Sequence, residues 1–215
     1  MRHGPHGAGA RIWEVFFLVQ TGRGTATAAV SAAEHEEVCH FLVDAARHGM
    51  IVRTVEAPFF RRIAAARRAG AAPPDGALYQ RLAERLEALL GPPAGRPSAH
   101  TAPTRDGKGI VFVAHDGEVY PAGFLPIGLG NVRTTPLRSL YRDTPLLRSI
   151  RAAEFTGRCG QCEFADLCGG SRARAYAASG DPLGEDPACG YQPAGWEPSR
   201  SGGVRESAGT ATMSA

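Results

Sequence analysis

Four of the five cysteines fall in one stretch, spaced Cys159-x2-Cys162-x5-Cys168-x20-Cys189. A C-x2-C step lets two thiolates from one tight turn share a single centre, and Gly160 eases that turn. Cys168 stands just before "GGSRARAYAASG", where two glycines allow close backbone approach and the segment after them reads as a helix start. Amides at a helix N-terminus favour nearby negative charge, which suits thiolate ligands. "SGDPLGEDPAC" then brings the chain back with a fourth thiol. Four thiolates can hold tetrahedral zinc or an iron–sulfur cluster. Zinc ribbons usually carry two C-x2-C knuckles, and the second is missing, so the solitary Cys189 leans toward iron–sulfur and leaves zinc open. The fifth cysteine, Cys39, lies beside the apolar face of an expected helix and reads as a buried, inert thiol.

Composition narrows the setting. The N-terminal residues contain no apolar core ending at a small-residue cleavage site, and the run Val15 to Val19 is too short to span a bilayer. A cytoplasmic protein is expected, without membrane contact, and a reducing compartment argues against structural disulfides. The net charge of +3 is too small to imply nucleic acid. Lys108 is the single lysine, and the arginine excess permits anionic ligands without requiring them.

The elements that must position these thiols are legible as an α/β pattern. "IWEVFFLV" (Ile12–Val19) predicts a buried strand, followed by a "TGRG" loop. Ser31 with Glu34 forms a capping box that starts a helix whose face is Val38, Phe41, Leu42 and Ala45, stopped by Gly49. "MIVRTVEAP" predicts a second strand and "FFRRIAAARRAG" a second helix, an order that implies parallel strands with crossovers. Two strands do not make a stable parallel sheet alone, so they read as the end of a larger one. "ALYQRLAERLEALLG" predicts a helix with Leu78, Leu82, Leu86 and Leu89 on one side. Residues 91–109 read as a linker, "IVFVAHDGEVYP" as a hairpin turning at Asp116-Gly117, and two Thr-Pro steps as helix starts. The tail 197–215 is expected to be disordered.

At these residues the sequence resembles the C-terminal portion of radical SAM proteins with a SPASM or twitch extension, in a subgroup similar to heme-biosynthesis and heme d1 maturation enzymes. "CGQCEFADLCGGSRARAYAASGDPLGEDPACGYQP" is similar to the end of such proteins, and "DGEVYPAGFLPIGLGNVR" to the hairpin that opens the extension. "IWEVFFLVQTGRG" and "VRTVEAPFFRR" resemble the last strands of the partial (β/α) barrel. The resemblance implies barrel strands and helices over 1–90, the linker, and a small α+β Fe–S-binding domain over 110–196. It implies one auxiliary [4Fe–4S] cluster on Cys159, Cys162, Cys168 and Cys189. Ala122 and Ser171 stand where relatives can have further cysteines, which argues against a second auxiliary cluster. The family's C-x3-C-x2-C motif, which holds the S-adenosylmethionine-cleaving cluster, does not occur in this sequence. The chain is therefore expected to be inactive alone, with S-adenosylmethionine used only if a separate chain supplies the N-terminal half. An electron donor and a tetrapyrrole or peptide substrate are the other expected partners. A non-enzymatic electron-transfer or partner-binding module, and a structural zinc domain, are the alternatives.

Smaller candidates follow the two strands. Arg23 in "TGRG" and Glu56 after the second strand would stand at a barrel mouth as cofactor- or substrate-binding groups. A surface turn for Arg23, and a salt-bridge set of Glu56 with Arg61 and Arg62, are the competing readings. Arg172 and Arg174 would lie near the cluster and offset its charge, or form a solvated helix face. His35, His40 and His48, at spacings of five and eight, read as surface residues.

Overall fold

The computed structural model describes residues 10–28, 30–93, 95 and 104–196. Strand β1 (Ile12–Phe16) pairs in parallel with β2 (Ile51–Val55), Ile12 opposite Ile51 and Phe16 opposite Val55. Between them runs helix α1 (Ala32–Ala45), begun by the full capping box: Ser31 Oγ accepts from Glu34 N, and the Glu34 carboxylate accepts from Ser31 N. Helix α2 (Phe59–Arg68) follows β2, and α3 (Ala77–Leu90) packs on α1. Only Tyr79 of α3 is buried, its hydroxyl donating to Asp44; the predicted leucine stripe is half-buried at Leu78, Leu82 and Leu86 and exposed at Leu89.

Residues 94 and 96–103 of the predicted linker lie outside the described residues. Its end is described: β3 (Arg105–Asp106) pairs in parallel with β4 (Gly109–Ile110), and both Arg105 and Asp106 are buried. An antiparallel meander of β5 (Phe112–Val113), β6 (Glu118–Tyr120) and β7 (Gly130–Asn131) follows, with the expected turn at Asp116-Gly117. Helices α4 (Leu137–Asp143) and α5 (Pro145–Ala152) come next. Pro145 takes the first turn of α5 as predicted, but the Thr144 hydroxyl donates back to Leu140 O instead of capping α5. The short turn α6 (Gly157–Gly160) carries Cys159, and α7 (Arg172–Ser179) begins at an N-cap Ser171 that accepts from Arg174 N. The predicted tail lies outside the described residues.

One apolar core joins the two ends of the chain. Phe59, Phe60 and Ile63 of α2 and Leu42 and Val43 of α1 pack with Val52 of β2, and Cys168 and Ala188 of the cysteine segment close the same cluster. The cysteine segment is thus fastened to the helices behind the sheet by apolar burial. The other side is different. Ile12, Trp13, Phe16 and Leu18 are exposed, Phe16 by 67%, so the strand predicted as buried is uncovered in this chain. A parallel strand needs neighbours on both faces, and β1 has one paired strand and helices on one side. Among the described residues no helix is long and apolar enough to cross a membrane.

Candidate metal centre

The chain coils tightly through the cysteine segment. Gly160 N donates to Thr156 O, Ala165 N to Cys162 O, and Cys168 N to Phe164 O, so the first three thiols sit on successive turns. A Cβ on Gly160 would stand 2.2 Å from Phe155 O, a backbone atom that cannot give way. Only glycine lets the C-x2-C turn close there. Gly170, at φ +61, reverses the chain into α7; a Cβ on it would meet Arg172 Nη2 at 2.6 Å, Asp186 Cβ at 2.7 Å and Cys159 Sγ at 3.4 Å. Its amide donates to Cys168 Sγ at 3.4 Å. Asp186 then organises the return: its carboxylate accepts from Ser171 N and Ala188 N, and Cys189 N donates to Asp186 O.

These turns bring Cys159, Cys162, Cys168 and Cys189 to the wall of one cavity, with Arg62 and Arg158 also lining it. The four thiols share the wall of this cavity, and among the described residues no three His, Cys, Asp or Glu side chains are already placed to hold a metal ion. A single zinc at about 2.3 Å from each sulfur needs the four sulfurs nearly in contact. A cluster with one iron per thiolate takes a wider ring. Burial pushes the Cys168 thiol up to about 12 and the Cys189 thiol up to about 11, and raises Cys162 as well. Loading a metal therefore displaces protons from these sulfurs.

The surroundings suit an anionic group. Arg62 pairs with Glu36 and lies 4.6 Å over the Tyr191 ring, and its buried Nε has no hydrogen-bond partner. Arg158 pairs with Glu185 at 3.1 Å and donates to Cys189 O at 2.9 Å. Arg172 Nη2 reaches Cys159 Sγ at 3.7 Å. Four thiols, a glycine cradle and an orphaned guanidinium nitrogen fit a thiolate-ligated cluster.

Other predicted residues fall elsewhere. Arg23 is exposed on a 3-10 turn, Gly22–Ala26. Glu56 is half-buried at the end of β2 with φ 59, a conformation non-glycine residues rarely take. It does not join Arg61 and Arg62, which turn away to the Leu167 and Thr104 carbonyls and to Glu36. Its carboxylate accepts from Ser171 Oγ, and burial raises its pKa to about 7, with Asp106 adding repulsion. Arg174, read as solvated helix surface in one of two readings, is buried. It pairs with Asp186 at 3.0 Å and donates to the carbonyls of Glu56 at 2.6 Å and Leu18 at 3.4 Å. One guanidinium therefore ties both strand ends to the cysteine segment. Arg172 is fully buried too, so α7 has no solvated arginine face. His35 is corrected from surface to core: it stacks on Phe17 at 5.4 Å and bonds Ser31 O. Cys39 is fully buried, as expected, with its thiol raised by burial. A second cavity of about 490 Å³ opens between β1 and α7, lined by Phe16, Leu18, Val30, His35, Arg174 and Ala178.

Sequence reasoning missed Asp186, Arg105 and Asp106. Each is a charged residue in a Gly/Pro-rich context that reads as loop, and only tertiary burial gives it a role.

No protein-family model matches the chain. It is 37% identical over 196 residues to the AdoMet-dependent heme synthase of Nitratidesulfovibrio vulgaris, covering 89% of this chain and 49% of the relative. It is 35% identical over 187 residues to the AdoMet-dependent heme synthase of Methanosarcina barkeri, covering 86% and 49%. A shorter match, 36% over 88 residues, is to the pre-heme d1 synthase of Dinoroseobacter shibae, covering 39% and 22%. The chain spans about half the length of the curated heme synthases it matches.

Proposed function

As this chain is a homologue, over most of its length, of the radical SAM heme-biosynthesis proteins, we propose that it carries an auxiliary-cluster domain. In this reading one [4Fe–4S] cluster is held by Cys159, Cys162, Cys168 and Cys189, in a SPASM- or twitch-like domain packed against the last strands of a partial barrel. The observation that carries it is the ring of four thiols around one cavity. The arginines beside that ring favour an anionic occupant. When bound, such a cluster supplies one-electron redox chemistry.

The chain's own residues do the rest. Arg62 and Arg158 place positive charge at the cavity wall, and the Gly170 amide supports Cys168. Arg174 holds the ends of β1 and β2 against the cysteine segment, so that the larger cavity opens beside the thiols' domain. A tetrapyrrole is the substrate class we assign, because the relatives are named as AdoMet-dependent heme synthases and a pre-heme d1 synthase. The apolar lining of the larger cavity suits a flat, largely apolar ligand. Cleavage of S-adenosylmethionine needs cysteines outside this chain's five, so this chain acts with a partner region that brings them. The exposed apolar start of β1, at Ile12 and Trp13 beyond the cavity lining, is the surface for that region.

Anaerobic reconstitution tests the reading. About four irons and four sulfides per chain are expected, with an EPR signal on reduction, and Cys189→Ala should lower both. One zinc without sulfide would overturn it.

A further inference from the structure

We propose that Arg172 is the cluster's buried counter-charge and that, through Cys159, it raises the cluster's reduction potential. The inference rests on the cluster reading above and deepens it. Arg172 is the largest fully buried side chain, at 0% exposure. Its Nε donates to Gly170 O at 3.4 Å, its Nη1 to Pro182 O at 3.1 Å and Gly184 O at 2.6 Å, and its Nη2 to Cys159 Sγ at 3.7 Å. Its Cζ lies 4.4 Å from the Phe155 ring centre.

Every oxygen it touches is a neutral carbonyl. Among the described residues the ion pairs leave it out: Arg62 has Glu36, Arg158 has Glu185 and Arg174 has Asp186. Of the nearby carboxylates, Asp186 is committed to Arg174, Ser171 N and Ala188 N, and Asp106 accepts from the backbone amides of Ala173 and Arg172, attracting the Arg172 charge without forming an ion pair with its guanidinium. A guanidinium taken out of water without a counter-ion is costly. Among the groups its guanidinium hydrogen-bonds, the one that can carry an opposing charge is the Cys159 sulfur, once it is a ligand thiolate. Arg105 is also buried without an ion pair, but its donors go to the Asp166 and Ile150 carbonyls and not to a sulfur. The four fixed donors of Arg172 therefore hold one positive charge against one ligand of the cluster.

The effect on redox behaviour follows from charge. Taking one electron from a low-potential donor such as dithionite adds one negative charge to the cluster. A fixed cation and a hydrogen bond on its thiolate stabilise the reduced state more than the oxidised one.

Arg172→Gln and Arg172→Lys are compared with the wild-type chain by iron and sulfide content and by EPR-monitored redox titration. R172Q is expected to shift the potential to more negative values, while R172K, which keeps the charge, stays close to wild type. A loaded R172Q with the wild-type potential, or an R172K shifted as far as R172Q, overturns the inference. If R172Q does not fold, the wild-type protein with guanidino-15N arginine decides: pulsed EPR of the reduced cluster should show a 15N coupling, and its absence overturns the inference. A wild-type chain that holds no sulfide overturns the cluster reading itself, an outcome separable from the others by iron and sulfide content alone.

Discussion

Gly170 shows how much a single residue carries here. Its φ of +61 and the 2.6 and 2.7 Å approaches of Arg172 and Asp186 leave no room for a side chain. Gly170→Ala should cost about 1–3 kcal/mol in urea unfolding and lower the iron bound after reconstitution; an unchanged iron content would show that the cradle is not needed. Glu56 makes a different prediction. Its carboxyl is raised from 4.5 to about 7, mainly by burial. The protonated form is favoured in the folded state, so its contribution is full below about pH 4.5 and is lost as pH rises through about 7. Glu56→Gln should therefore gain stability relative to wild type as pH is raised from about 5 to about 8, and a pH-independent difference would contradict this. That the four thiols lie together was legible from their spacing, because local turns bring the first three to one cavity wall. Glu56 was legible only as a position: its partner Ser171 is 115 residues away, and no local pattern encodes that pairing.

Elements were easiest to read where backbone chemistry is local. The capping box at Ser31 and Glu34, the parallel order of β1 and β2, and the Asp116-Gly117 turn all follow from short motifs. Ser31→Ala should cost about 1 kcal/mol, read as a lower thermal midpoint with the cluster cavity unaffected; no loss of stability would mean that α1 is held by packing alone. Where long-range burial decides, periodicity misled. The α3 leucines have the spacing of a core face, yet α1 offers them only a partial cover. His35 has the look of a surface residue between glutamates, yet the aromatic rings of Phe17 and Phe59 enclose it. For the arginines of α7 the sequence leaves a place near the thiols and a solvated face both open, because nothing local announces Asp186 or the Gly184 carbonyl.

For the whole molecule, the decisive contact is the joint between strands and cysteine segment. Asp186 has no exposed surface and neutralises Arg174, which in turn holds the Leu18 and Glu56 carbonyls. Asp186→Ala strands that buried charge and should cost about 3–5 kcal/mol, with loss of cluster binding as the segment detaches; a loss under about 1 kcal/mol would contradict the account. The exposed face of β1 predicts self-association: Phe16→Lys should reduce it in size-exclusion chromatography without lowering the thermal midpoint. The central claim is that the four thiols share one cluster, and native mass spectrometry under anaerobic conditions tests it most directly. The account predicts the mass of one [4Fe–4S] unit added to each chain, absent from a variant with all four cysteines replaced by serine. One zinc per chain in the same preparation would contradict it.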